Sequence, residues 1–178
     1  SLFFESLCPG CRYFVLSRLH PDYNELGDYI DLELVPFQWC NQYNGKWECR
    51  CQHGDRECLG NKYFSCAIAN NPTKVALEYI ACLERERVSD ESFAQCAKEF
   101  GVSYEELQSC VETKGLDLLV AHSKRAQQFK IDHLPTIVFN DVLDKSADEE
   151  AYLDFRKVVC KFLQKDPPKA CSSYIYSK

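Results

Sequence analysis

Cys8, Pro9, Gly10 and Cys11 set two thiols three positions apart at the entry to a segment with helical periodicity. Thiols so spaced can interconvert between dithiol and disulfide, and the chemistry they suit is thiol–disulfide exchange. Phe3 and Phe4 close a strand-like apolar run. Cys8 then falls at a helix N-cap position and Pro9 at the first helical position, where its missing N–H costs nothing. A sulfur placed there faces unpaired backbone N–H groups and the positive end of the helix dipole, which favour the nucleophilic thiolate. Cys8 is therefore the expected exposed nucleophile, and Cys11, one turn inside, the shielded resolving thiol. Phe14, Val15, Arg18 and Leu19 continue the helix, and Pro21 is expected to stop it. A C-x-x-C also serves as half of a zinc site or as a structural bridge, so the remaining chain must decide.

With 178 residues the chain suits one domain carrying a helical insertion. Its net charge of −6 and the lack of a basic cluster argue against nucleic acid as a partner. No segment is apolar enough for a membrane span, and no signal peptide remains; the chain opens as a processed or trimmed product would. Twelve cysteines, an even and unusually high count, point to an oxidising route: secretion or the endomembrane system. No glycosylation sequon is usable, because Asn71-Pro72-Thr73 carries the forbidden proline.

Ile30, Leu32 and Leu34 alternate with acidic residues and read as a strand to Pro36. Residues 38–66 are rich in cysteine and show little helical periodicity. Within them Asn44-Gly45 is a two-residue hairpin turn. Counting outward from Tyr43 and Lys46 sets Cys40 opposite Cys49 at a non-hydrogen-bonded position, where a cross-strand disulfide can close. From Pro72 the pattern turns helical, with apolar stripes around Val75–Leu83, Phe93–Phe100, Leu107–Cys110 and Leu116–Phe129 that suit a core. Leu134–Phe139 reads as a strand with Pro135 at its mouth, Asn140-Asp141 as a turn and Val142-Leu143 as a short partner. Ser146 and Glu149 read as a capping box opening a last helix through Tyr152 and Phe162 to Pro167-Pro168. Cys160 and Cys171, the cysteines beyond the Pro135 strand, are expected to bond to each other. Cys51, Cys58, Cys66, Cys82, Cys96 and Cys110 leave 15 possible pairings.

Residues 51–66 read C-Q-H-G-D-R-E-C-L-G-N-K-Y-F-S-C. They match C-Q-H-G-x-x-E-C-x-x-N-x-x-x-x-C, the signature of the gamma-interferon-inducible lysosomal thiol reductase family, GILT. With the C-x-x-C upstream and the proline-led strand downstream, the chain resembles that family over essentially its whole length. The resemblance implies an α/β, thioredoxin-like fold with an inserted helical, disulfide-rich region. The core would be about 1–37 and 131–165, the insertion about 38–130 and the C-terminal tail 166–178. It implies a reductase of protein disulfides, working best at acidic pH in lysosomes or endosomes or after secretion, with Cys8 and Cys11 as the active pair. Leu134 and Pro135 would hold the substrate chain beside them. The ten other cysteines would be structural, and the signature would serve to tie its loop to the insertion. Cys40 and Cys49 are additional to the family pattern and mark an elaborated loop beside the active site.

No bound cofactor is needed, although a small thiol such as cysteine or glutathione must regenerate the dithiol. The direction of exchange depends on reduction potential and is open to oxidase or isomerase use. Cys49, Cys51, Cys58 and His53 can be drawn as a zinc site, but paired C-x-x-C knuckles are missing and no metal is expected. His53 is expected to hydrogen-bond within its own loop, and Glu5 to be a surface carboxylate, the alternative being that it takes the Cys11 proton. A different class of function is a secreted binding protein with little turnover, recognising a host, pathogen or cell-surface partner. The extra hairpin bond and the missing sequons motivate it.

Overall fold

Leu2–Phe4 is buried at every position and forms β1, the central strand of a three-stranded sheet in the computed structural model, which describes residues 1–175. β2 (Leu34–Pro36) lies parallel to β1, with Leu2 opposite Leu34 and Phe4 opposite Pro36. β5 (Thr136–Ile137) lies antiparallel on the other side, with Phe3 opposite Thr136. Both faces of the sheet are covered, which is why β1 reads as a continuous apolar run. Leu2 and Phe4 join the larger core, where Phe4 stacks on Phe64 at 5.5 Å, while Phe3 and Val35 pack with Val138 and Ala126 on the opposite face.

The register decides what meets at one end of the sheet. β1 and β2 run in parallel toward Glu5 and Phe37, and the Phe37 N–H donates to the Phe4 carbonyl at 2.7 Å. β5 runs the other way, so the residues before it arrive at that same end. The segments 5–8, 37–39 and 133–135 therefore converge.

β1 leads into α1 (Pro9–Phe14), a π-helical turn (Val15–Leu19) and α2 (His20–Leu26). Pro21 does not stop this helix as expected. It sits in the first turn of α2, and the Arg18 guanidinium donates to the Ser17 carbonyl, which a proline four residues on cannot serve. Ile30 and Leu32 precede β2 instead of extending it. The hairpin β3 (Trp39–Tyr43) and β4 (Lys46–Arg50) turns at Asn44 (φ 49°) and Gly45 (φ 77°), with Cys40 opposite Cys49. Residues 55–66 are helical, contrary to the sequence reading, as part of α3 (Asp55–Asn70).

The helices α4 (Thr73–Glu86), α5 (Asp90–Phe100), α6 (Tyr104–Thr113) and α7 (Gly115–Gln127) follow. Ser89 and Ser103 cap α5 and α6, and Gly101 ends α5 in the left-handed region. The Leu134–Phe139 strand shortens to β5, with an isolated bridge between Phe139 and Val142 across the Asn140-Asp141 turn. The expected last helix is two: α8 (Lys145–Leu153), and α9 (Phe155–Phe162), which ends before Pro167. Asp144, not Ser146, caps α8 through the N–H groups of Ser146 and Ala147. Asp154 interrupts the pair and caps α9 by accepting from the Lys157 N–H.

Five disulfides join Cys40 to Cys49, Cys51 to Cys58, Cys66 to Cys110, Cys82 to Cys96, and Cys160 to Cys171. The second pair closes the loop before α3, the third ties α3 to α6, and the fourth ties α4 to α5. The last returns a 3₁₀ turn (Lys169–Cys171) to α9, and α10 (Ser172–Ile175) follows. The end of the expected tail, residues 176–178, lies outside the described residues.

Candidate active site

Cys8 is the N-cap of α1, in extended backbone, and its sulfur accepts the Cys11 N–H at 3.3 Å. The helix starts there because Pro9 fixes a helical φ at the first position and Cys8 offers a side-chain acceptor. Both thiols are free. Cys8 is only 8% exposed and Cys11 is fully covered, so the expected difference in access is small.

Their electrostatics diverge. The Cys8 thiol is lowered to about 6, chiefly because the Cys11 thiol donates to it. The Cys11 and Gly10 N–H groups and His53 lower it further, against the effect of burial. Burial and the neighbouring Cys8 sulfur push Cys11 well up, although the Glu5 N–H lies 3.5 Å from its sulfur.

Glu5 is not the surface carboxylate expected. Its side chain is fully buried, and neither carboxylate oxygen has a hydrogen-bond partner. Burial, then Glu57, then Cys8 raise it to about 8. His53 does bond locally: its N–H donates to Glu57 Oε1 at 2.8 Å, and its Nδ1 lies 2.5 Å from Glu57 Oε2 and 4.0 Å from Glu5 Oε2. On α4, buried Glu84 is also pushed well up by burial, and its backbone carbonyl accepts from the Arg12 side chain at 2.5 Å.

The loop between β1 and α1 is held by α3. Asn61 Oδ1 accepts the Ser6 N–H at 2.9 Å while its Nδ2 donates to the Phe37 carbonyl at 2.8 Å. Ser6 Oγ donates to the Glu57 carbonyl, and a Cβ on Gly60 would come within 2.4 Å of that Oγ, so glycine permits the close approach. Sequence reasoning credited the signature with its cysteines and missed these polar contacts. The signal was available: Glu57, Asn61 and Ser65 recur every four residues, one buried helical face. Glu84 carries no such signal.

Leu134 and Pro135 are joined by a cis peptide and face the pair: a Cβ on Gly10 would meet the Pro135 ring at 3.4 Å and the Leu134 carbonyl at 3.8 Å. Their loop is anchored by buried Asp148, which accepts the Ile137 N–H and bonds His133 Nε2, each at 2.8 Å. A cavity of about 650 Å³ is lined by Cys8, Trp39, His53, His133 and Leu134. A second, of about 360 Å³, runs past Gly10, Pro135, Tyr152 and Leu153. Trp39, next to the bonded Cys40, places the hairpin's base at the first cavity.

The family described as gamma interferon inducible lysosomal thiol reductase (GILT) matches residues 1–100, which hold the C-x-x-C, the hairpin and the signature helix. The chain belongs to the GILT family. Among curated relatives, GILT-like protein 1 of Drosophila melanogaster is 28% identical over 98% of this chain and 78% of its own length. The gamma-interferon-inducible lysosomal thiol reductase of Mus musculus is 28% identical over 97% of this chain and 71% of its own. That of Carassius auratus is 29% identical over 96% and 70%. Two of these relatives of the GILT chain are thus named thiol reductases. Among the described residues no helix is long and apolar enough to cross a membrane.

Proposed function

We propose that this chain reduces disulfides in proteins through Cys8 and Cys11, on a single thioredoxin-like unit. In that reading the core is residues 1–37 and 131–165, and 38–130 is the insertion. The observation that carries it is Cys8 at the N-terminus of α1, its sulfur hydrogen-bonded by Cys11 and opening on the larger cavity. The Cys8 thiolate attacks one sulfur of a substrate disulfide, forming a mixed disulfide and expelling the other sulfur as a thiolate that takes up a proton. Cys11 loses its proton to solvent as it attacks Cys8, and the second substrate sulfur departs as a thiolate that takes up a proton from solvent. The substrate disulfide gains two electrons, and the Cys8/Cys11 dithiol loses them in becoming a disulfide. Two equivalents of a small thiol restore the dithiol.

Leu134 and Pro135 would hold the substrate chain across the cavities. With Cys8 at about 6 in place of the ordinary 9.0, roughly a tenth of it is thiolate at pH 5, about a thousandfold more than an unperturbed thiol. That supports working in acidic lysosomal or endosomal compartments, or after secretion. The experiment is a reductase assay on a denatured disulfide-bonded protein from pH 4 to 8. Turnover at acidic pH that disappears in Cys8→Ser is expected. Undiminished turnover in Cys8→Ser, or none in the wild type at any pH, overturns the reading. The second of those results leaves a secreted binding protein using the same scaffold.

A further inference from the structure

We propose that Glu5, His53 and Glu57 form a site for a zinc-type divalent cation beside Cys8, and that the bound cation holds Cys8 out of exchange. One ligand atom from each of the three lies within 4.8 Å of the others. The site is more than an acidic cluster, because Glu5 is fully buried, is within 4.0 Å of the imidazole, and leaves both carboxylate oxygens unpartnered. A buried carboxylate without a partner is costly, and two carboxylates sharing one imidazole lack positive charge. No lysine or arginine supplies it: among the described residues the ion pairs of Glu5 and Glu57 run to His53 alone.

The donors are one nitrogen and two carboxylate groups, which zinc binds at about 2.0–2.2 Å, so tetrahedral ligand atoms stand about 3.4 Å apart. Closing the observed spacing is a small side-chain movement, easiest for His53, whose side chain is 36% exposed. Binding displaces the Glu5 proton to solvent, and the neutral imidazole ligates through Nδ1 with its own proton on Nε2. In the reduced protein the fourth position falls to the Cys8 sulfur, which lines the same cavity as His53 and suits zinc, and in the oxidised protein to water. The set drawn from the sequence, Cys49, Cys51, Cys58 and His53, is unavailable because those cysteines are bonded.

Only the blocking of Cys8 rests on the reductase reading, so binding is tested apart from activity. Zinc chloride is titrated calorimetrically at pH 7.5 into the oxidised protein, whose Cys8–Cys11 disulfide leaves the three nitrogen and oxygen ligands in place. One equivalent is expected, with affinity falling at least about tenfold in both Glu5→Gln and His53→Ala, as loss of a ligand requires. Circular dichroism checks that each variant is folded. Absence of binding, or an affinity that falls in neither or only one variant, overturns the site. With the reduced protein, saturating zinc should suppress disulfide reduction at least tenfold and a chelator should restore it. Zinc bound with turnover unaltered overturns the blocking role alone, and zinc bound by a protein without reductase activity refutes the reductase reading and leaves the site standing.

Discussion

Cys8 and Cys11 lie three residues apart and titrate in opposite directions, because Cys8 receives the donors at the head of α1 while Cys11 has turned inside the core. Under mild reduction near pH 6, a thiolate-selective alkylating reagent should therefore modify Cys8 first, as peptide mass mapping would show. Cys11→Ser should accumulate a mixed disulfide with substrate through Cys8, visible on non-reducing gels; labelling of Cys11 first would reverse the assignment. Glu5 has the opposite character to a usual surface acid. Its folded value of about 8 stands above the ordinary 4.5, so between these values the native state binds more protons and stability falls as pH rises. From pH 6.5 to 8 the term is about 1–2 kcal/mol at 1.36 kcal/mol per unit. Chemical denaturation of the oxidised protein with a chelator present should show Glu5→Gln gaining about that much on the wild type over this interval. A gap that stays constant with pH would place the Glu5 charge elsewhere in the balance.

At the scale of elements, α3 was the one the sequence hid. Its buried face carries Glu57, Asn61 and Ser65, so an apolar-periodicity test fails on a helix whose inward side is partly polar. Those polar groups hold backbone: Asn61 serves the Ser6 N–H and the Phe37 carbonyl, fastening the segments that leave β1 and β2. Asn61→Ala would bury both groups unpaired, at about 1–3 kcal/mol each. We expect a loss of about 2–5 kcal/mol in urea denaturation, with Cys8 alkylation rates altered because the loop before α1 is released. Unchanged stability would mean that water or another side chain serves those groups. The α1–α2 helix was misjudged for a related reason. Pro21 removes one donor, and the π-helical turn and Arg18 absorb the loss, which local propensity cannot foresee.

For the whole molecule, the mixed register of the sheet carries three distant segments to one end and makes a cavity there. The disulfides then tie down the insertion around it. Cys66–Cys110 spans a separation of 44 residues and Cys51–Cys58 one of 7. On chain entropy these closures contribute about 4 and about 2.4 kcal/mol. Replacing the first pair by serines should lower the melting temperature more than replacing the second, by several degrees at roughly 2–4 °C per kcal/mol. Equal losses would show that the denatured chain keeps structure across the longer loop.

What the sequence determined by itself is local. The C-x-x-C with its proline specifies a helix N-terminus, Asn44-Gly45 specifies the hairpin, and that turn sets Cys40 against Cys49, since each depends on dihedral preferences and short counts along the chain. The GILT signature was legible as a pattern of residues and identified the family before any coordinate. Only the tertiary structure decided that Glu5 is buried and unpartnered, that Glu57, Glu84 and His53 gather around Cys8 and Glu5, and that Cys66 chooses Cys110. Burial and electrostatic coupling are set by which segments the sheet register brings together, and residues separated by dozens of positions carry no mark of that meeting in their own types.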